Sequence, residues 1–263
     1  MNYQKPEVFL VAETKINKNE LEAFLSTLGV PNWETDASSD TETLVEIGWK
    51  LCYLSFRADL NKNLTKTGSR NNLNYIQDGI VKNKHGSVIE HASVTFILLN
   101  VSRVLTHELV RHRAGTAFSQ LSGRYVRTDS ITMADLPSVI SENPKATEIF
   151  DACVLVQEQV IQMLSELYGL DNMSDFHKKK VITSAIRRII GNGQANHIMF
   201  SANHRALRHM IEMRTNVGAE EEIRIVFNKI FEKVKDKFPA LYADAQVECI
   251  DGINQVTFKY NKV

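Results

Sequence analysis

The sequence predicts an α/β or α+β fold with a helical majority. Residues 7–14, EVFLVAET, are a continuous apolar run with β-branched members, which suits a strand. Residues 144–170 and 219–237 keep helical spacing over several turns, too long for strands. Strand-like and helix-like segments intermix along the chain instead of falling into separate blocks.

Taken in order, the elements have recognisable starts and stops. A short helix over residues 19–28 ends at Gly29 and Pro31, and Ser39 and Asp40 cap a second that runs through Trp49 and Tyr53. Residues 61–72 are rich in Asn, Lys and Thr and read as a surface connection. Helical spacing returns over residues 72–84 at Leu73, Ile76 and Ile80, and residues 88–99 read as a buried strand carrying a few polar groups. Residues 102–113 suit a helix, and residues 116–126 a loop turning into strand. The long helix opens with Pro144 in the favoured first position, after Ser141 or Asn143 as cap. Residues 174–190 form another helix, stopped by Gly191-Asn192-Gly193. A strand over residues 196–202 and a helix over 203–214 follow. The amphipathic helix 219–237 ends before Pro239, and residues 246–260 alternate as a hairpin about Asp251-Gly252.

Composition narrows the function. The 263 residues suit one elaborate domain and can bury a core without staples. Lys and Arg total 31 and so do Asp and Glu, so the basic excess of a general nucleic-acid or anionic-membrane binder is missing. Three cysteines, Cys52, Cys153 and Cys249, lack CxxC spacing and argue against a disulfide scaffold or a thiolate zinc site. The opening MNYQKPEVFL has no long apolar core and no run reaches bilayer length, so a soluble, cytoplasmic protein is expected.

Charge on apolar helix faces marks candidate chemistry. In residues 102–113, Val101, Val104, Leu105 and Leu109 share one arc, with Glu108 and His112 inside it and Arg111 at its edge. A Glu–His or Glu–Arg pair satisfying itself at the rim of a core accounts for this as well as a site does. In residues 203–214 the apolar stripe is Ala206, Leu207, Met210, Ile211 and Met213. Arg205, Arg208, His209 and Glu212 take the other side, while Arg214 and Asn203 project into the stripe. A buried guanidinium needs an anion or strong acceptors, unless Arg214 escapes to solvent at the helix end.

The third cluster is basic. Five arginines fall between Arg103 and Arg127 against one acid, Glu108. Small hydroxyl residues and Gly123 beside Arg124 combine forked charged donors with approachable backbone N–H groups, the requirements of an anion site. Ala114, Ala117, Phe118 and Leu121 in the same stretch point to a packed loop rather than a solvated one. His85 and His91 flank Glu90 at a separation poor for metal ligation, so no metal site is expected. GxGxxG and GxxxxGK[ST] are both absent, which argues against a Rossmann dinucleotide site and a P-loop.

Three separated motifs then agree with one family. ELVRHRAGTAFSQLSGRYV, residues 108–126, resembles the signature of the flavin-dependent thymidylate synthases (ThyX), written Arg-His-Arg, seven residues, Ser. HGSVIEHASVTF, residues 85–96, resembles the segment ahead of that signature. RRIIGNGQANHIMFSANHRALRHMIEMR with AEEEIR, residues 187–214 and 219–224, resembles the family's C-terminal segment. Eight residues, Ala114 to Leu121, separate Arg113 from Ser122 here, one more than the pattern. Gly191 stands where Pro is usual, and Gly218 where His is frequent.

The resemblance implies a single ThyX-like domain over residues 1–263, its signature-bearing core at about 85–224, with an α/β (α+β) fold around a central mixed sheet. It implies a cytoplasmic homotetramer with FAD at subunit interfaces, converting dUMP to dTMP with methylenetetrahydrofolate and NADPH. Arg214 is the implied catalytic residue, meeting the uracil and favouring its N3-deprotonated form. Ser122, Gly123 and Arg124 would hold the nucleotide, chiefly its phosphate, with Arg187 completing the clamp and Glu108, Arg111, Gln120 and Leu121 lining the site. Arg111, His112 and Arg113 would face the flavin, with Ser87, Gln120, Asn203, Arg205 and His209 as further FAD contacts. Ser122 has no evident base in the sequence, so phosphate binding fits it better than nucleophilic attack. Two rivals stand beside this reading: a flavin-dependent methylase of another pyrimidine nucleotide such as UMP, and a non-catalytic nucleotide- or RNA-binding protein.

Overall fold

The computed structural model describes residues 3–56, 71–126 and 130–260. In chain order the elements are β1 (Tyr3–Gln4), β2 (Glu7–Glu13), α1 (Lys18–Thr27), α2 (Asp40–Tyr53), α3 (Asn72–Asn74), which continues as a π-helix over Tyr75–Val81, and α4 (Gly86–Ile89). Next come β3 (Ser93–Ser102), α5 (Arg103–Leu109), β4 (Thr116–Gln120), β5 (Met133–Ala134), α6 (Ser138–Ser141), α7 (Pro144–Leu167) and α8 (Phe176–Ile186), which ends in a 3-10 turn over Arg187–Ile189. The chain closes with β6 (Ala195–Asn203), α9 (His204–Thr215), α10 (Glu221–Lys237), α11 (Pro239–Tyr242), β7 (Ala245–Ile250) and β8 (Ile253–Phe258). Helix predominates over mixed sheet, as the sequence predicts.

Side chains set the helix starts. Asn17, Ser39, Asn143, Asp175 and Asn203 each accept a backbone N–H of the first turn they precede, supplying a partner that the opening helical N–H groups lack. Asp251 and Gly252 both hold positive φ, 53° and 78°, the conformation a two-residue β7–β8 turn requires.

Four sheet strands lie in the order β2-β3-β6-β4, while β1 pairs in parallel with β5 and β7 antiparallel with β8. The chain divides into two compact units. One takes Met1–Phe9, Ile97–His112 and Phe118–Met199; the other takes Leu10–Phe96, Arg113–Ala117 and Phe200–Val263. The core of the first includes Ile131, Met133, Val154, Ile161, Leu170 and Ile186. In the second, Phe96 stacks on Phe200 at 5.3 Å between ring centroids, and Phe200 meets Phe227. Among the described residues no helix is long and apolar enough to cross a membrane.

Several expectations are corrected. The strand expected over residues 88–99 starts only at Ser93, because Val88 and Ile89 are consecutive buried residues of α4 and true alternation begins with Val94, Phe96 and Leu98. The helix expected through Arg113 stops at Leu109; Arg111 and His112 donate their N–H groups three residues back, to Glu108 and Leu109, in a tightened last turn. Val104 is exposed, and the buried face of α5 is Leu105, Thr106 and Leu109. Over residues 116–126 the strand precedes the turn, because Ser122 O accepts the N–H groups of Tyr125 and Val126 and reverses the chain there. Ala114, Ala117 and Leu121 are exposed and Phe118 half-buried, so the stretch expected to be packed is largely open within this chain. Most of the polar connection at 61–72 lies outside the described residues. Asn72 is buried: its N–H donates to Asp36 Oδ1 and its Nδ2 to Glu46 Oε2, both at 2.7 Å.

Candidate active site

The residues singled out by sequence fall into one group per unit. In the first unit β4 and the turn after it carry Gln120, Leu121, Ser122, Gly123 and Arg124. Leu121 N–H donates to the His197 carbonyl at 2.9 Å, which fixes the entry to the turn beside β6. Ser122 Oγ accepts the Arg124 N–H at 3.4 Å. Arg187 leaves the end of α8 and lies against the same turn: a Cβ added to Gly123 would sit 3.5 Å from Arg187 Cδ and Nη1. Gly123 and Arg187 also face a small apolar cavity lined by Ile161, Leu170, Ile186 and Ile190.

The Arg187 guanidinium, the Ser122 hydroxyl and a glycine backbone therefore meet at one turn, which also carries the exposed Arg124. This is chemistry for a phosphate or similar anion, since guanidinium forks match its oxygens. Gln120 is tied elsewhere, donating from Nε2 to Thr106 Oγ1 at 3.1 Å. Glu108 and His112 are half-buried and Arg111 is exposed.

The second unit holds Ser87, Arg113, Asn203, Arg205, His209 and Arg214. Ser87 and Arg113 are exposed, Ser87 within α4. Asn203 caps α9, its Oδ1 accepting the Ala206 N–H at 2.8 Å, and its own N–H donates to the Gly115 carbonyl at 2.9 Å. Arg205 and His209 occupy the exposed side of α9, with Arg205 Nη1 paired to Glu90 Oε1.

Arg214 is half-buried, whereas Arg208, expected on the solvent side, is the buried guanidinium at 4% exposure. Its two terminal nitrogens each donate to a carboxylate oxygen of Asp244 at 2.8 Å, and it lies over the Phe258 ring. The buried face of α9 is His204, Leu207, Arg208, Met210, Ile211 and Thr215. Its centre is rotated by roughly 95° from the one that apolar residues alone define, at about 100° per residue. His204 Nδ1 lies 2.8 Å from the Tyr242 hydroxyl. Burial, with the Arg208 charge adding, holds the His204 pKa down at about 3. Burial also raises that of Tyr242, so both are neutral.

Gly115 was missed by sequence reasoning. Its signal was present, a glycine two residues past the Arg-His-Arg run, but its partner Asn203 lies far along the chain. Among the described residues no group of three or more acidic, His or Cys side chains could hold a metal ion. An open cleft of about 710 Å³ beside α1, edged by Trp33 and Asp40, contains none of the candidate residues.

A family described as "Thymidylate synthase complementing protein" matches residues 35–240. Flavin-dependent thymidylate synthases of Corynebacterium efficiens and Mycobacterium avium are 34% and 33% identical, over 87% and 89% of this chain and 89% and 91% of theirs. The chain belongs to the flavin-dependent thymidylate synthase family. Its members are methyltransferase enzymes. The fold agrees with that of ThyX from Helicobacter pylori, solved with FAD and dUMP, at a TM-score of 0.59 and 18% identity over 91% of this chain and 98% of that one. It also agrees with that of the UMP/dUMP methylase PolB from Streptomyces cacaoi, bound with 5-Br dUMP, at a TM-score of 0.63 and 15% identity over 92% and 96%.

Proposed function

We propose that the protein is an FAD-dependent thymidylate synthase that methylates C5 of dUMP, taking the one-carbon unit from methylenetetrahydrofolate and reducing equivalents from NADPH. The observation that carries this reading is the Ser122–Gly123–Arg124 turn with Arg187 against Gly123. The turn offers a nucleotide phosphate two forked cations and a backbone that can be approached closely.

Arg214 supplies the cation that favours a uracil deprotonated at N3, since an opposite charge nearby stabilises the ionised form. Ser122 serves as a phosphate donor and not as a nucleophile.

The second unit suits the flavin. Arg113 and Arg205 are exposed guanidiniums and Asn203 heads α9, a donor set fit for an anionic ligand rich in acceptors. Ser87 and His209, and from the signature Arg111, His112 and Gln120, are the remaining flavin-facing residues of this reading. When bound, FAD supplies the hydride; the side chains hold and orient the reactants and stabilise charge. The chain acts as a single ThyX-like domain in a cytoplasmic homotetramer, with FAD at subunit interfaces.

The test is the visible absorption spectrum of the purified protein, followed by anaerobic NADPH with dUMP, with UMP, and with neither. A flavin band that bleaches faster with dUMP than with UMP supports thymidylate synthesis; a preference for UMP moves the substrate to a ribonucleotide. A colourless protein that takes up no added FAD overturns the reading in favour of a nucleotide-binding protein.

A further inference from the structure

Helix α7 has two apolar faces. On one, Val154 and Ile161 are buried and Leu164 packs beside them against Ile131, Leu170 and Ile186. The other is Ile149, Cys153, Val156, Val160, Met163 and Leu167, spaced by alternate steps of four and three residues. That alternation keeps a seam on one side of a helix, as in a coiled coil. The seam is open to solvent: Ile149 is 70% exposed, Val156 57%, Met163 67% and Leu167 74%.

Charge identifies the occupant. Between Glu148 and Glu166 the seam and its neighbours Ala152, Gln159 and Gln162 are uncharged. The two acids in that span turn toward their own unit, Asp151 accepting from the Tyr3 hydroxyl and Glu158 from the Ile131 N–H, both at 2.7 Å. Exposed Lys145 stands at one end and exposed Glu166 at the other. A copy of α7 laid antiparallel with Val156 on the two-fold axis sets Ile149 against Met163, since both lie seven residues from Val156. Lys145 then falls beside Glu166 of the other copy, twice over. A parallel copy would instead align Lys145 with Lys145, Glu148 with Glu148 and Glu166 with Glu166. A two-fold contact must complement itself, and only the antiparallel arrangement does.

We propose that α7 is a homotypic docking surface, on which a second copy of this chain packs its own α7 antiparallel about Val156. The inference rests on the homotetramer part of the proposed function and names one interface of that assembly; it does not depend on the flavin chemistry.

The experiment is light scattering behind size exclusion on the full chain, with Val156→Glu, Lys145→Glu, Glu166→Lys and the charge-swapped double variant. Wild type is expected to run as a tetramer and Val156→Glu at half that mass, with unchanged circular dichroism. Each single charge reversal weakens assembly at least several-fold and the double swap restores it. As a second measurement, Val156→Cys is made with Cys52, Cys153 and Cys249 replaced by Ser and then oxidised. It should give a disulfide-linked dimer, because residues on the axis of two packed helices come within reach of such a bond. A wild-type oligomer with neither loss of mass in Val156→Glu nor crosslinking in Val156→Cys overturns the α7 interface while leaving the assembly standing. A monomeric wild type overturns both.

Discussion

Gly115 and Asn203 approach so closely that no side chain fits between them: a Cβ on Gly115 would lie 2.4 Å from Asn203 Nδ2 and 2.8 Å from its Cγ. Gly115 also has φ +69°, a conformation that costs any other residue about 1–2 kcal/mol. Its carbonyl takes the Asn203 N–H while Asn203 Oδ1 caps α9. One glycine in the basic loop thus fixes the residue that opens the helix carrying Arg205 and His209.

Gly115→Ala should therefore fold but bind flavin more weakly, by roughly tenfold for each 1.4 kcal/mol of strain that reaches Asn203. Titrating FAD fluorescence against the apoprotein measures this, with far-UV circular dichroism as the folding control. Unchanged FAD affinity would show that the Asn203 contact does not position the flavin.

The Arg208–Asp244 pair ties α9 to the chain ahead of β7. Both partners are nearly inaccessible, and Asp244 also accepts the Tyr260 N–H at 3.2 Å. Removing one member strands a buried charge, which typically costs about 3–5 kcal/mol. Asp244→Ala is expected to lose stability in that range by urea denaturation. Pairing Arg208→Met with Asp244→Leu should recover a substantial part, since an apolar pair leaves no charge behind. A single-variant loss under about 1 kcal/mol would mean that the buried pair relaxes to water.

This pair also marks where sequence reading stops. Caps at Ser39 and Asn143 and the Asp251-Gly252 turn were legible because their physics is local: a side chain meets an N–H two or three residues away, or a backbone angle selects its residue. The α9 face was misplaced because Arg208 and His204 are buried by partners 36 and 38 residues further on, Asp244 and Tyr242. Counting apolar residues treats both as solvent-facing. The early end of α5 at Leu109 was hidden because no Gly or Pro marks it: the next residues, Val110 to Arg113, are ones a helix tolerates. Within the signature, the Ser122–Gly123–Arg124 cluster was legible by residue type, but Arg187 beside Gly123 was suggested only by family resemblance.

Arg214→Ala tests the catalytic assignment. Losing a cation aimed at developing negative charge commonly costs about 10²–10³ in rate. Turnover of dUMP should fall by about that factor, while FAD content and thermal midpoint hold, because the side chain is only half-buried at the end of α9. Arg214→Lys should retain part of the rate. Near-normal methylation by Arg214→Ala would remove Arg214 from the reaction.

His204 makes a prediction about pH. Folding holds its pKa near 3, first by burial and then by the Arg208 charge, against 6.5 for an unburied imidazole. Above about pH 6.5 the ring is neutral in both states and its folded contacts contribute in full. As pH falls from 6.5 toward 3 the unfolded chain takes up a proton that the folded one refuses, so stability drops by up to about 1.4 kcal/mol per pH unit. Between pH 7.5 and 5.0 this amounts to about 2 kcal/mol from a single side chain. Urea denaturation of wild type and His204→Gln at the two pH values isolates it, because other titrating groups are common to both proteins. Wild type should lose about 2 kcal/mol more than the variant on acidification. Equal losses would show that His204 is protonated inside the folded protein, and that the Tyr242–Arg208 surroundings tolerate a second positive charge.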